Sequence, residues 1–139
     1  MKQIFETLTV ATRGAGLYAF DEQVRRFLRD ARIADGLLTC FIRHTSASLL
    51  IQENADPDVL ADLEDFMRRI VKRDPGLYRH DAEGPDDMPS HIRAALTASS
   101  LSIPVRGGVP ALGTWQGLYV FEHRDAPHRR EVLLHLIGA

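Results

Sequence analysis

An α+β fold built largely from antiparallel sheet is what this chain predicts, and three observations predict it. Strand-length apolar runs outnumber helical stretches, helices of unequal length interrupt them, and the order does not settle into the strand–helix–strand alternation of a parallel sheet. At 139 residues the chain fits one domain, residues 1–139, with two main helices and a short third. It is long enough to bury a core without disulfides or a structural metal.

The elements follow in order. Residues 2–10, rich in Thr, Ile, Phe and Val, read as a first strand. Arg13-Gly14-Ala15-Gly16 reads as a turn and Leu17 to Phe20 as a short second strand. Asp21 is placed to cap a helix carrying Val24, Phe27, Leu28 and Ala31 at helical spacing, and Gly36 is placed to stop it. Leu37 to Arg43 is a continuous apolar run of strand length, and Ala47 to Gln52 is expected to pair with it across the polar corner His44 to Ser46. Asp56-Pro57 opens the longest helix, with Val59, Leu60, Leu63, Phe66, Met67, Ile70 and Val71 as its apolar face and Pro75-Gly76 at its end. A short helix from about residue 89 to 98 and strands over 101–105, 117–123 and 131–137 complete the chain.

Composition excludes several classes. A net charge of −2, with each basic pair offset by nearby acids, argues against nucleic acid as a partner. No run approaches the length of a membrane span and the N-terminus lacks a signal-peptide core, so no membrane partner and a cytoplasmic location are expected. The single cysteine excludes an intramolecular disulfide framework, and Cys40, inside an apolar run, is expected as a small buried side chain.

Two polar motifs stand out against this background. Tyr78 to His91 packs His80, Asp81, Glu83, Asp86, Asp87 and His91 into one turn-rich segment that no apolar stripe requires. His44-Thr45-Ser46-Ala47-Ser48 follows an apolar run directly. His80 and His91 flank the turn at Gly84-Pro85 and could converge on one ion, with His44 as a third ligand from elsewhere in the fold. The alternative is that both make loop and helix-start hydrogen bonds. One of Asp86 and Asp87 is expected to cap the following helix, leaving the other as metal ligand, outer-sphere partner or general base. Thr45 and Ser46 could hold a phosphate in a turn with exposed amides. Trp115 and Gln116, bracketed by Gly113 and Gly117, suit a planar ring ligand, with packing as the competing role for Trp115. Glu122, beside Val120 and Phe121, reads as a buried functional carboxylate. Neither a phosphate-loop nor a dinucleotide glycine motif is present, and no nucleophile elbow occurs.

Taken together the motifs resemble the YjbQ-like family, often labelled secondary thiamine-phosphate synthase. The matching pieces are His44 to Ser48, Glu53-Asn54, Asp56-Pro57, Tyr78 with His80, Glu83 to His91, Pro104-Val105, Gly113 to Gly117, Glu122 and Arg130. The resemblance implies two packed sheets, assembly as a homotrimer, and a polar, metal-binding site lined by His44, His80 and His91. Many relatives carry an arginine two residues before Arg130, where this chain has His128.

The function expected on these grounds is thiamine-phosphate-synthase-like coupling of a pyrimidine diphosphate to a thiazole phosphate. His91, Asp87 and Glu122 are the expected catalytic residues. Thr45, Ser46, Asp86, Trp115, Gln116 and Arg130 are the expected contacts to a small phosphorylated heterocyclic substrate. A divalent ion would offset charge on the diphosphate leaving group: the carboxylates suit magnesium and the histidines suit zinc. Metal-dependent hydrolysis of a small phosphorylated substrate, and non-enzymatic small-molecule binding by a trimer, are the rival readings.

Overall fold

The computed structural model describes residues 1–139. Eight strands and three helices alternate as β1 (Lys2–Thr12), β2 (Gly16–Ala19), α1 (Asp21–Ala31), β3 (Gly36–Ile42), β4 (Ala47–Glu53), α2 (Pro57–Ile70), α3 (Asp87–Leu96), β5 (Ser100–Arg106), β6 (Val109–Pro110), β7 (Gln116–Glu122) and β8 (His128–Gly138), with a single 3₁₀ turn at Pro75–Leu77. The fold is α+β, with two antiparallel sheets. One has the order β1-β8-β3-β5-β6 and the other β2-β7-β4.

Strand alternation explains the core. Leu8 and Val10 of β1, Leu38, Cys40 and Ile42 of β3, Ile103 and Val105 of β5, and Val132, Leu134 and Leu136 of β8 all point to one face of the larger sheet. They meet Ala47, Leu49, Leu118 and Val120 from the smaller sheet, with Phe20, Val24, Phe27 and Leu28 around α1 closing the side. Burial pushes the Cys40 thiol up to about 12, which leaves it an inert core residue.

Several expectations are corrected here. The strands β3 and β4 do not pair with each other: β3 lies between β8 and β5, and β4 is an edge of the other sheet. The polar corner His44 to Ser46 is therefore a crossing between sheets. Asp21 is the first residue of α1 rather than its cap, and its carboxylate accepts the Leu118 amide at 3.0 and 3.1 Å. The helix stops at Arg32 in the left-handed conformation, φ 53°, and Gly36 instead opens β3. There a Cβ would lie 2.3 Å from the Ile137 carbonyl oxygen, so close strand approach demands the glycine. The strand pair β5–β6 at Val109–Pro110 was not legible, and α3 begins at Asp87, earlier than the expected start.

The helix α2 departs most from its pattern. Asp56 caps it as expected, accepting the Asp58 amide at 2.9 Å. Yet Phe66 and Ile70 are about half exposed while Glu64 is buried. Glu64 faces Arg93 of α3, its Oε1 accepting from Nη1 at 3.2 Å, and it shares the buried face with Met67 and Val71. No helix is long and apolar enough to cross a membrane.

Candidate functional site

The start of α3 and the segment before it place three groups together. The Nε2 atoms of His80 and His91 both approach Oδ2 of Asp87, at 2.6 and 3.2 Å. One ligand atom from each of these residues lies within 4.8 Å of the others. His91 and Asp87 share a helix face because they are four residues apart, and the turn at Gly84, φ 104°, brings His80 back over that face. Asp87 is 1% exposed, whereas His80 and His91 keep their outer edges in solvent. Burial alone would raise the Asp87 carboxyl, but hydrogen bonding with His80 and Glu83 and the nearby His91 and Arg124 side chains hold it below the usual carboxylate range.

The second ring nitrogen of His91 decides what that geometry means. Its Nδ1 lies 2.9 Å from the Thr45 carbonyl, which can only accept, so Nδ1 carries a proton. Neutral His91 then presents a lone pair on Nε2 to a carboxylate oxygen 3.2 Å away. Two lone pairs do not hold that distance without a cation, either a proton on the ring or a metal ion beside it. A ligand histidine tied to a backbone carbonyl through its other nitrogen is the arrangement that metal sites use to fix tautomer and ring direction.

Asp86 and Asp87 divide their work differently from expectation: neither caps α3 through its side chain. Asp86 accepts Arg124 Nε at 3.0 Å and the Asp125 amide at 2.9 Å. Burial raises its carboxyl less than these bonds lower it. Arg124 then reaches Asp87 Oδ1 at 2.6 Å and the Glu83 carbonyl at 2.9 Å. It is the residue that aims Asp87, and sequence reasoning missed it: an Arg-Asp pair after a strand is an ordinary loop sequence.

His44 lies in a second cluster. Its Nε2 accepts the Glu131 amide at 2.8 Å, which commits that lone pair to the backbone. Burial, then the charge of Arg130, lowers its pKa and keeps the ring neutral. Arg130 lies 3.3 Å from its Nδ1, donates to Ser46 Oγ at 3.0 Å, and pairs with Glu122 through Nε at 2.7 Å and Nη2 at 2.5 Å. Glu122 is 0% exposed. It also accepts from Thr12 Oγ1 at 2.6 Å and from the amides of His123 and Arg124 at 3.0 and 3.2 Å. Burial would raise this carboxyl, but the Arg130 and Thr12 bonds lower it, so Glu122 is a satisfied carboxylate with no proton to move near neutral pH.

The model of the family described as UPF0047 protein YjbQ-like matches residues 6–139. The chain belongs to the YjbQ-like family. It is 50% identical over 137 residues to the UPF0047 protein sll1880 of Synechocystis, covering 99% of this chain and 93% of that one. It is 42% identical over 134 residues to YjbQ of Escherichia coli O157:H7, covering 96% of each. Among solved structures, a conserved hypothetical protein of Thermus thermophilus superposes with a TM-score of 0.85 at 30% identity, over 95% of this chain and 99% of that one. A protein of unknown function from Sulfolobus solfataricus gives 0.90 at 20% identity, over 99% of each, a likeness of fold.

In this YjbQ-like chain the expected site residues thus fall into three groups. His80, Asp87 and His91 meet, with Asp86 behind them through Arg124. His44, Ser46, Glu122 and Arg130 form a largely buried ion-pair cluster, joined to the first group through the Thr45 carbonyl and through Arg124, whose amide donates to Glu122 while its side chain holds Asp86 and Asp87. Trp115 and Gln116 lie at the opposite end of β7 from Glu122, about 20 Å along the strand. Trp115 is 64% exposed and the Gln116 side chain accepts the Gly113 amide at 2.7 Å, closing its own turn. No cavity encloses the His80–His91 face, which opens directly to solvent.

Proposed function

We propose that this YjbQ-like protein is a metal-dependent enzyme that hydrolyses a small phosphorylated compound, with His80, Asp87 and His91 as the protein ligands of one divalent ion. The observation that carries the reading is the convergence of His80 Nε2, Asp87 Oδ2 and His91 Nε2, with His91 Nδ1 donating to the Thr45 carbonyl. Two imidazoles and one carboxylate are a borderline donor set that suits zinc better than magnesium, and three ligands leave coordination positions open. An ion held there supplies Lewis acidity, activating water near neutral pH and neutralising charge on a phosphoryl oxygen.

The chain's own residues do the rest. Arg124 holds Asp87 ionised and aimed, and the Thr45 carbonyl fixes the His91 tautomer. Thr45 is exposed beside His91, so its hydroxyl is available to a substrate oxygen. Coupling of a pyrimidine diphosphate to a thiazole phosphate would use the same ion, but would draw on Trp115 and Gln116 from the far end of β7.

Metal content of untagged protein tests the reading. About one ion per chain is expected in wild type and in His44→Ala, and loss from His80→Ala, Asp87→Ala and His91→Ala. Phosphate release from small phosphoesters should fall in those three variants by more than the roughly 10–100-fold that losing an outer contact costs. Failure of the wild type to take up zinc at micromolar free metal would sink the proposal. Coupled thiamine phosphate without phosphate release would replace hydrolysis by transfer.

A homotrimer is the proposed assembly. Phe5, Leu37 and Phe41, 61%, 42% and 44% exposed, lie with Leu133 and Ile137 on the outer face of the larger sheet, across three adjacent strands. That face, apolar apart from Thr39 and His135 among these positions, favours burial against another copy. Light scattering is expected to give three times the chain mass, and Phe41→Asp to lower it; monomeric wild type at micromolar concentration would remove the trimer.

A further inference from the structure

A cavity of about 500 Å³ lies between the C-terminal end of α2, the helix α3 and the loop after β7, lined by Arg68, Val71, Lys72, Arg73, Arg93 and Asp125. Four of its six lining residues are cations. That volume matches pockets that hold small ligands. Arg73 is satisfied, making paired bonds of 2.6 Å to Asp125. Arg93 is not. It is 1% exposed, its one hydrogen bond to the chain runs from Nη1 to Glu64 Oε1 at 3.2 Å, and its Nε has no partner.

A buried guanidinium normally spends its five donors on acceptors, because a charged group left short of hydrogen bonds is costly in the interior. The bland account, basic residues complementing the C-terminal end of the α2 dipole, covers Arg68 but not Arg93, which belongs to α3 and is buried. Glu64 offsets the charge of Arg93, and Asp125 that of Arg73. Arg68 shares Glu64 Oε1 with Arg93, at 3.3 Å against 3.2 Å, and otherwise has only Asp65 at 3.8 Å, while Lys72 has no ion pair. The cavity therefore combines two weakly compensated cations with a buried arginine short of acceptors.

We propose that this cavity is a second binding site, separate from the His80–Asp87–His91 cluster, that takes the phosphate or diphosphate group of a small molecule. Arg93 and Arg68 offer planar guanidinium donors to the anion's oxygens and Lys72 a mobile point charge, while Arg73 stays held by Asp125 at the wall. A dianion fits the two weakly compensated cations better than a monocarboxylate does.

Calorimetric titration of the full chain with inorganic phosphate and with pyrophosphate tests this, with acetate as the control anion. Saturable binding of one anion per chain is expected, tighter for pyrophosphate and weakened by salt. Lys72→Ala and Arg68→Ala should each weaken it about tenfold, the loss of one charge-assisted contact. Arg93→Lys, which keeps the charge opposite Glu64, should weaken it while the protein still unfolds cooperatively. His91→Ala should bind the anion as wild type does, so this site and the metal site can fail independently. No binding at millimolar anion, equal affinity for acetate, or binding lost in His91→Ala but kept in Lys72→Ala would overturn the proposal.

Discussion

Replacing Arg130 by methionine is expected to cost about 3–5 kcal/mol of unfolding free energy, because it leaves a buried carboxylate without its counter-charge. Glu122 is 0% exposed and Arg130 3% exposed, and the pair is held by two bonds from the same guanidinium. The sign of the linkage is set by Glu122, whose folded pKa is depressed chiefly by Arg130 and Thr12 against the opposing effect of burial. Its contribution is present above the unfolded carboxyl pKa and is lost as pH falls through the folded value. In Arg130→Met that carboxylate should pick up a proton at higher pH instead. Adding Glu122→Gln should recover much of the loss, since it removes the stranded charge. Urea unfolding of the three proteins measures this. A cost below about 1 kcal/mol for Arg130→Met would mean that the pair behaves like an exposed ion pair.

The second large effect is acid instability seated at His123. Its ring is 1% exposed, Nε2 lies 2.9 Å from Ser48 Oγ, and Nδ1 has no partner. Burial first, then the nearby charge of Arg93, pushes its pKa from 6.5 down to about 3. The folded protein thus keeps this base neutral where the unfolded chain protonates it, so its stability is fully present above pH 6.5 and falls as pH drops towards 3. The slope approaches roughly 1.4 kcal/mol per pH unit, or on the order of 5 kcal/mol in all. Asp86, Asp87 and Glu122, all with lowered pKa values, add their losses only in the lower, carboxylate part of that window. His123→Leu should therefore flatten the stability curve between about pH 6.5 and 4.5 without abolishing acid unfolding at lower pH. The same slope in both proteins across that window would place the instability elsewhere.

The His123 effect also shows how the sequence is limited. Next to Phe121 and Glu122 at a strand end, His123 reads as peripheral, yet β7 is covered on both faces and the ring ends up buried against Ser48. Period-2 alternation reports which face a side chain takes, but not whether the outer face is later covered by a helix. Here α2 and α3 supply that cover. The same blindness hid Arg93, Glu64 and Arg124, ordinary surface types in sequence that become buried or half-buried partners.

What the sequence determined by itself is local. Strand-length apolar runs and β-rich composition placed the strands β1, β3, β4, β7 and β8, and helical spacing the helices, within a few residues, while Asp56-Pro57 marked the start of α2 through short-range hydrogen bonding. The turn at Gly84-Pro85 marked His80 and His91 as able to converge, whereas the helical start at Asp87, which sets its carboxylate one turn before His91, came only with the structure. What only the tertiary structure decided is the partnership between segments far apart in the chain. His44 was grouped with His80 and His91 by residue type, but the sheet crossing turned its Nε2 to the Glu131 amide, 87 residues away, while its neighbour's carbonyl oriented His91. Arg124 reached Asp86 and Asp87 across 38 and 37 residues. Those pairings depend on which strand lies beside which, and strand order is set by the burial of two whole sheet faces rather than by any local run of residues.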